Sequence, residues 1–128
     1  MGTSAYIDIN QNQFKAFSKL EPQEPVVMLN FLRFKKVVFE SEISGEEAYQ
    51  RYMKAAIPFF KEANAEVLFY GEPKHMLIGP LDTELWDKVL LIKYNTLNGF
   101  LMMVQAKGYP SHLRKQALID SRLIHCKP

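Results

Sequence analysis

One cysteine, one tryptophan and six glycines stand among 128 residues. With Cys126 alone no intrachain disulfide can form, so the fold must rest on its core, and a reducing compartment is compatible with this usage. A nucleophilic Cys126 would need a base beside it. His125 adjoins it in sequence, but neighbours along a strand point to opposite faces, so no Cys–His pair is expected. Charge of one sign is also scarce. The formal net charge is +2, and lysines and arginines are mixed with acids along the chain, which removes the electrostatic case for nucleic acid. No apolar run approaches the ~20 residues that cross a bilayer. Residues 1–10 lack the basic start and apolar run of a secretory signal. Met1-Gly2 opens like a myristoylation site, but Tyr6 stands where that motif takes Ser or Thr. The expectation is a soluble, cytoplasmic protein that binds neither membrane nor nucleic acid. There is no glycine-rich phosphate loop, GxSxG, CxxC or HExxH, and His75, His112 and His125 show no ligand spacing, so neither metal nor cofactor is expected.

What is present is a hydrophobic share of 48% in one domain's length of chain, enough for a single core. Its centre is Val26 to Phe34, VVMLNFLRF. Apolar residues occupy both of its alternating faces, which predicts an inner strand covered on two sides. Upstream, Asn10 or Asn12 can cap a short helix reaching about Leu20, and Pro22 and Pro25 stop it. Residues 1–25 thus form a helical extension, and residues 26–126 form the body.

Val37 to Phe39 extends the first strand or forms an arm. Ser44 or Gly45 opens a helix to about Ala63, with Pro58 expected to kink or split it and Asn64 in the left-handed region. Val67 to Tyr70 is a strand, Met76 to Ile78 a short hairpin return, and Leu81 to Leu85 a polar loop. Trp86 to Tyr94 is the third main strand. Thr96 caps a helix to about Ala106, Ser111 caps another to Ala117, and Leu118 to His125 closes the chain.

This order is βαββαβ, an α+β ferredoxin-like arrangement with an antiparallel sheet and helices on one face. Strands apolar on both faces then need a second cover. A twin subunit, closing two sheets into a barrel, is the expected partner, and shielding by the N-terminal extension is the alternative.

The segments VVMLNFLRFKK, GEEAYQRYMKAAIPFF, LIGP, WDKVLLIKYNTLNGFLMMV and KQALIDSRLIHC, in that order, resemble domain-of-unknown-function family 1330 of the dimeric α+β barrel superfamily. The resemblance spans roughly residues 26 to 126. It implies the fold and a homodimer, and it brings no reaction. The family's glycine-rich turn after the first helix of the body is here Ala63-Asn64-Ala65. Wider relatives of the barrel include cofactor-free monooxygenases, lactone isomerases and haem-binding enzymes, a likeness of fold alone.

Candidate site residues follow from misplaced polarity. Asn30 interrupts an apolar strand and needs partners: either backbone beside it or a ligand's carbonyl or hydroxyl. Asp120 and Arg122 share a face of the last strand, as an ion pair or as a grip on an acidic ligand group. His112, in YPSHLRK, is the candidate acid–base residue, set against a plain surface histidine. Tyr52 and Trp86 offer aromatic walls for a flat ligand, or core and interface packing. These residues suggest a small-molecule-binding protein, with cofactor-independent acid–base or oxidative chemistry as one outcome. A non-catalytic binding or dimerisation module is the alternative, and haem binding through a histidine is a weaker third.

Overall fold

The computed structural model describes residues 5–39 and 41–128. Its elements run α1 (Gln11–Ser18), β1 (Val26–Phe34), α2 (Gly45–Glu62), β2 (Glu66–Gly71), α3 (Leu81–Glu84), β3 (Lys88–Tyr94), α4 (Leu97–Gln105), α5 (Ser111–Ala117) and β4 (Leu118–Cys126). The strands pair antiparallel in the order β2-β3-β1-β4, the ferredoxin-like arrangement. β1 has the residue bounds expected of it and sits between β3 and β4.

The two faces of β1 differ. Val26, Met28, Asn30, Leu32 and Phe34 are all buried, because this side faces the helices. Leu29, Phe31 and Arg33 on the other side are half-buried. The strand register extends this second face across the sheet, placing Leu91 and Ile124 on either side of Leu29, and Val89 and Arg122 on either side of Phe31. Phe69 lies beyond Leu91. The result is an apolar belt between polar ends, the Arg33–Asp120–Arg122 cluster at one and the Glu66–Lys93 pair at the other. The described part of the N-terminal extension meets the polar end of this face, where the Tyr6 N–H donates to Asp120 at 2.9 Å and the Arg122 guanidinium lies 4.8 Å from the Tyr6 ring centre. Phe17 of α1 packs edge-on against Phe100 of α4 and against His125, on the helical side.

Local chemistry accounts for most element ends. Asn10 caps α1, accepting from the Gln13 N–H at 3.0 Å. Ser44 caps α2 through the Glu47 N–H, and Thr96 caps α4 through that of Gly99. Asn64 takes φ 55°, the left-handed turn out of α2. Where α2 begins, the Gly45 N–H donates to the Lys35 carbonyl, and the Lys35 N–H donates to that of Ala117. The end of β1, the start of α2 and the end of α5 are thereby locked together.

Several expectations need correction. α2 is not split at Pro58 but runs as one helix, with Pro58 exposed so that water can take the Lys54 carbonyl that lost its donor. Met76 to Ile78 pairs with nothing among the described residues. The run is cramped between Pro73 and Gly79-Pro80, and it leaves Leu77 and Ile78 more than nine-tenths exposed. Leu81 to Glu84 forms a helical turn with Pro80 at its cap position, not a loop. α5 likewise has Pro110 at the cap, with Ser111 already helical. After Phe34 the chain leaves the sheet, and Val38 makes only a bridge to Ile43. No described helix is long and apolar enough to cross a membrane.

Candidate ligand cavity

Asn30 lies mid-strand on the helical side, so a carboxamide is carried into the core. Its Nδ2 donates to the Leu90 carbonyl at 3.3 Å and, more weakly, to that of Met28 at 3.5 Å. Its Oδ1 accepts from Nη2 of Arg114 at 3.2 Å. The amide is satisfied by protein, as burial demands. It also fixes a guanidinium that comes from α5.

Above Asn30 opens a cavity of about 840 Å³. Its floor is the sheet, including Met28, Asn30, Ile92 and Tyr94, and its walls come from α2, α4 and α5. Residues 6–11 and α1 form its rim, with Ser121 Oγ donating to the Tyr6 carbonyl at 2.6 Å. Much of the wall is apolar: Met53, Phe60, Phe100, Met103 and Val104.

The polar groups converge around Arg114. Tyr49, Tyr52, Tyr94 and Tyr109 all line the same space. The Tyr52 and Tyr109 hydroxyls are bonded to each other. Burial drives the Tyr49, Tyr52 and Tyr94 phenols far above their ordinary ionisation range. For Tyr49 the neighbouring Arg114 offsets part of that rise, and for Tyr52 the nearby Tyr109 adds to it. Burial pushes Tyr109 to about 12, with its bond to Tyr52 working the other way. All four phenols therefore stay protonated near neutral pH, as donors and not as bases.

The sequence candidates divide between two faces. Asn30 and Tyr52 line the cavity floor and wall. Arg122 belongs to the other face of β4, since it pairs with Phe31 while Asn30 pairs with Leu123, but it also reaches the cavity lining beside Tyr6, whose ring centre is 4.8 Å from its guanidinium. It donates to Asp120 Oδ1 and to the Ser121 carbonyl, both at 2.8 Å, and sits 5.0 Å from the Trp86 ring centre. Trp86 is buried on that side, with the Arg33 guanidinium 4.4 Å from its ring centre. Asp120 also reaches Arg33, at 3.8 Å. The structure thus brings Asp120, Arg122 and Trp86 together as an ion-and-ring cluster, and of these Arg122 also lines the cavity that holds Asn30. His112 is exposed on α5 and does not line the cavity. His125 does, packed against Phe17. Among the described residues no cluster of metal-ligating side chains exists.

Burial opposes ionisation of Asp120, but hydrogen bonds from the Tyr6 N–H, Arg122 and the Ser121 N–H outweigh it and hold the carboxyl below its ordinary value. A depressed native value gives stability that is present above about 3.9, the unfolded value, and is lost as pH falls through the native one. Asp120→Asn is expected to cost about 1–3 kcal/mol at pH 7. That deficit should persist at pH 5 and shrink below about pH 4. Urea melts across this range check it, and a deficit unchanged at the lowest pH would contradict the assignment.

No family model and no curated protein matches the chain. A solved structure does. The RPA0582 protein of Rhodopseudomonas palustris, described as of unknown function, is 33% identical over 98% of both chains, with a TM-score of 0.88. The chain belongs to the family of RPA0582. A structure of methylated RPA0582 matches equally well, at 31% identity and a TM-score of 0.88 over 98% of this chain and 96% of that one. The RPA0582 family therefore shares this ferredoxin-like fold over essentially the whole chain, the N-terminal extension included.

Proposed function

We propose that the chain binds a small organic molecule in the cavity between sheet and helices, working as a homodimer of the dimeric α+β barrel type, and that its family falls within domain-of-unknown-function family 1330. The observation that carries the reading is the cavity itself: about 840 Å³, with apolar walls and a few convergent polar groups around Arg114. Binding sites for drug-sized ligands have this size and this mixture. The twin subunit is supported by the apolar belt, where Phe69 and Ile124 stand exposed in the single chain. Two such faces, each roughly 20 by 25 Å, would bury on the order of 1,000 Å², the lower end for a stable interface. Cytoplasmic residence is part of the same proposal, in keeping with the lone cysteine.

Catalysis has narrower support. His112 is outside the cavity and the four tyrosines are held protonated, so His125 is the histidine on the described lining that an acid–base role would fall to. The non-catalytic module is favoured by Asn30 and Arg122, whose bonds are made within the protein.

The test is native mass spectrometry of protein purified gently from its host, together with titration of a neutral apolar fluorophore. A retained metabolite, or saturable binding that Met103→Trp blocks by filling the space, is the expected result. Failure of the fluorophore to bind, with no metabolite retained, would remove the reading.

A further inference from the structure

Arg114 is a cation enclosed among phenols, and among the described residues no carboxylate pairs with it. Its guanidinium donates to a neutral amide oxygen, Asn30 Oδ1, at 3.2 Å. The Tyr49 hydroxyl, also uncharged, is a second hydrogen-bond neighbour of the guanidinium, and both Tyr49 and Arg114 line the cavity. Among the described residues the one acidic side chain on the lining is Asp8, at the exposed rim, and it is held by Lys115 at 3.3 Å. A half-buried positive charge without a counter-charge is costly, and a ligand anion that supplies the counter-charge recovers that cost.

The tyrosines point the same way. Because burial keeps them protonated, they present O–H groups and no negative charge. Tyr52 and Tyr109 share one hydrogen bond, so one hydroxyl donates to the other and the accepting partner keeps its own proton free to point outward. The phenols around Arg114 thus add O–H donors without adding a counter-charge. The walls facing them, Phe60, Phe100, Met53 and Met103, suit an apolar body and not a sugar or a polyol.

Resting on the cavity reading above, we propose that the ligand is a monoanionic organic acid, its carboxylate on Arg114 and a tyrosine hydroxyl and its apolar, flat or branched body between α2 and α4. A planar guanidinium fork matches a carboxylate in geometry as well as in charge. A dianionic phosphate would call for further enclosed cations. The other lysine and arginine on the lining, Lys115 and Arg122, already hold Asp8 and Asp120.

The experiment is calorimetric titration of the full chain with phenylacetate, its neutral amide phenylacetamide, and inorganic phosphate. Phenylacetate is expected to bind at least about 10-fold more tightly than the amide, as one charge-assisted hydrogen bond allows, and phosphate to give no saturable heat. Arg114→Gln should reduce phenylacetate to the affinity of the amide and leave the amide unchanged. Arg114→Lys, which keeps the charge and loses the fork, should retain a weakened preference for the acid and serves if the Gln variant fails to fold. Equal affinity for acid and amide in the unaltered protein, or phosphate binding as tightly as phenylacetate, would overturn the carboxylate while leaving the cavity reading intact. If phenylacetate, the amide and the neutral fluorophore all fail to bind, both readings fall together.

Discussion

Gly45→Ala is expected to unfold the protein or to cost more than about 3 kcal/mol, a large part of the 5–15 kcal/mol that holds a typical domain. A methyl group there would lie 2.5 Å from both the Ala117 carbonyl oxygen and the Lys35 nitrogen, and closer still to the Lys35 carbonyl oxygen. All three are backbone atoms, so no side chain can swing away. They are also the atoms of the two hydrogen bonds that lock β1, α2 and α5 together, at 2.8 and 2.9 Å. Relief requires breaking one of these bonds or moving a strand end, and tightly packed interiors resist both. Gly99→Ala is the control. Its added methyl would meet the Thr96 hydroxyl at 3.2 Å and the Ala63 carbonyl at 3.5 Å, a slight crowding that the helix-forming gain of alanine offsets. Thermal melts of the two variants should differ widely, and a Gly45→Ala protein as stable as the Gly99→Ala one would refute the close approach.

Leu29→Glu should separate the proposed dimer without unfolding the subunit. Leu29 is half-buried in the single chain, at the middle of the belt and flanked by Leu91 and Ile124. In a lone subunit the carboxylate reaches water, and the cost is that of a poorer strand former, about 1 kcal/mol or less. Between two sheets the same carboxylate would be buried without a partner, twice per dimer, at several kcal/mol each. The dissociation constant should rise by a factor of about 1,000 or more. Sedimentation of the two proteins at matched concentrations, beside their circular dichroism melts, reads both quantities. An unaltered protein that sediments as a monomer would end the twin-subunit proposal.

Much of the fold was legible because the signals were local. β1 announced itself as a run apolar on both faces but for Asn30 and Arg33, and the caps Asn10, Ser44 and Thr96 and the left-handed Asn64 are chemistry of single residues. The stretch from Met76 to Leu85 was not legible. Three apolar residues make a strand only where an edge receives them, and whether an edge is free is a property of the assembled sheet.

The cavity was half legible. Asn30 stood out because an amide in an apolar strand is conspicuous anywhere. Its supposed partner, Arg122, came from the right strand at the wrong parity: the register sets Leu123, not Arg122, opposite Asn30, and one residue in a strand means the other face. Arg114 was invisible, since an arginine in SHLRKQ reads as surface, and only an 84-residue closure brings it to Asn30. His112 shares that short helix two positions earlier, which turns it roughly 200° away, towards solvent.

The strand order β2-β3-β1-β4 carries a cost in time. β1 is made early, yet both of its neighbours come late: Leu29 waits for Leu91 on one flank and for Ile124 on the other. The most apolar segment of the protein therefore leaves the ribosome long before anything can pair with it. Topologies built on distant pairings fold slowly, and during synthesis this one would depend on chaperones, or on transient shelter from α2, to keep its unmatched strand from sticking to other nascent chains.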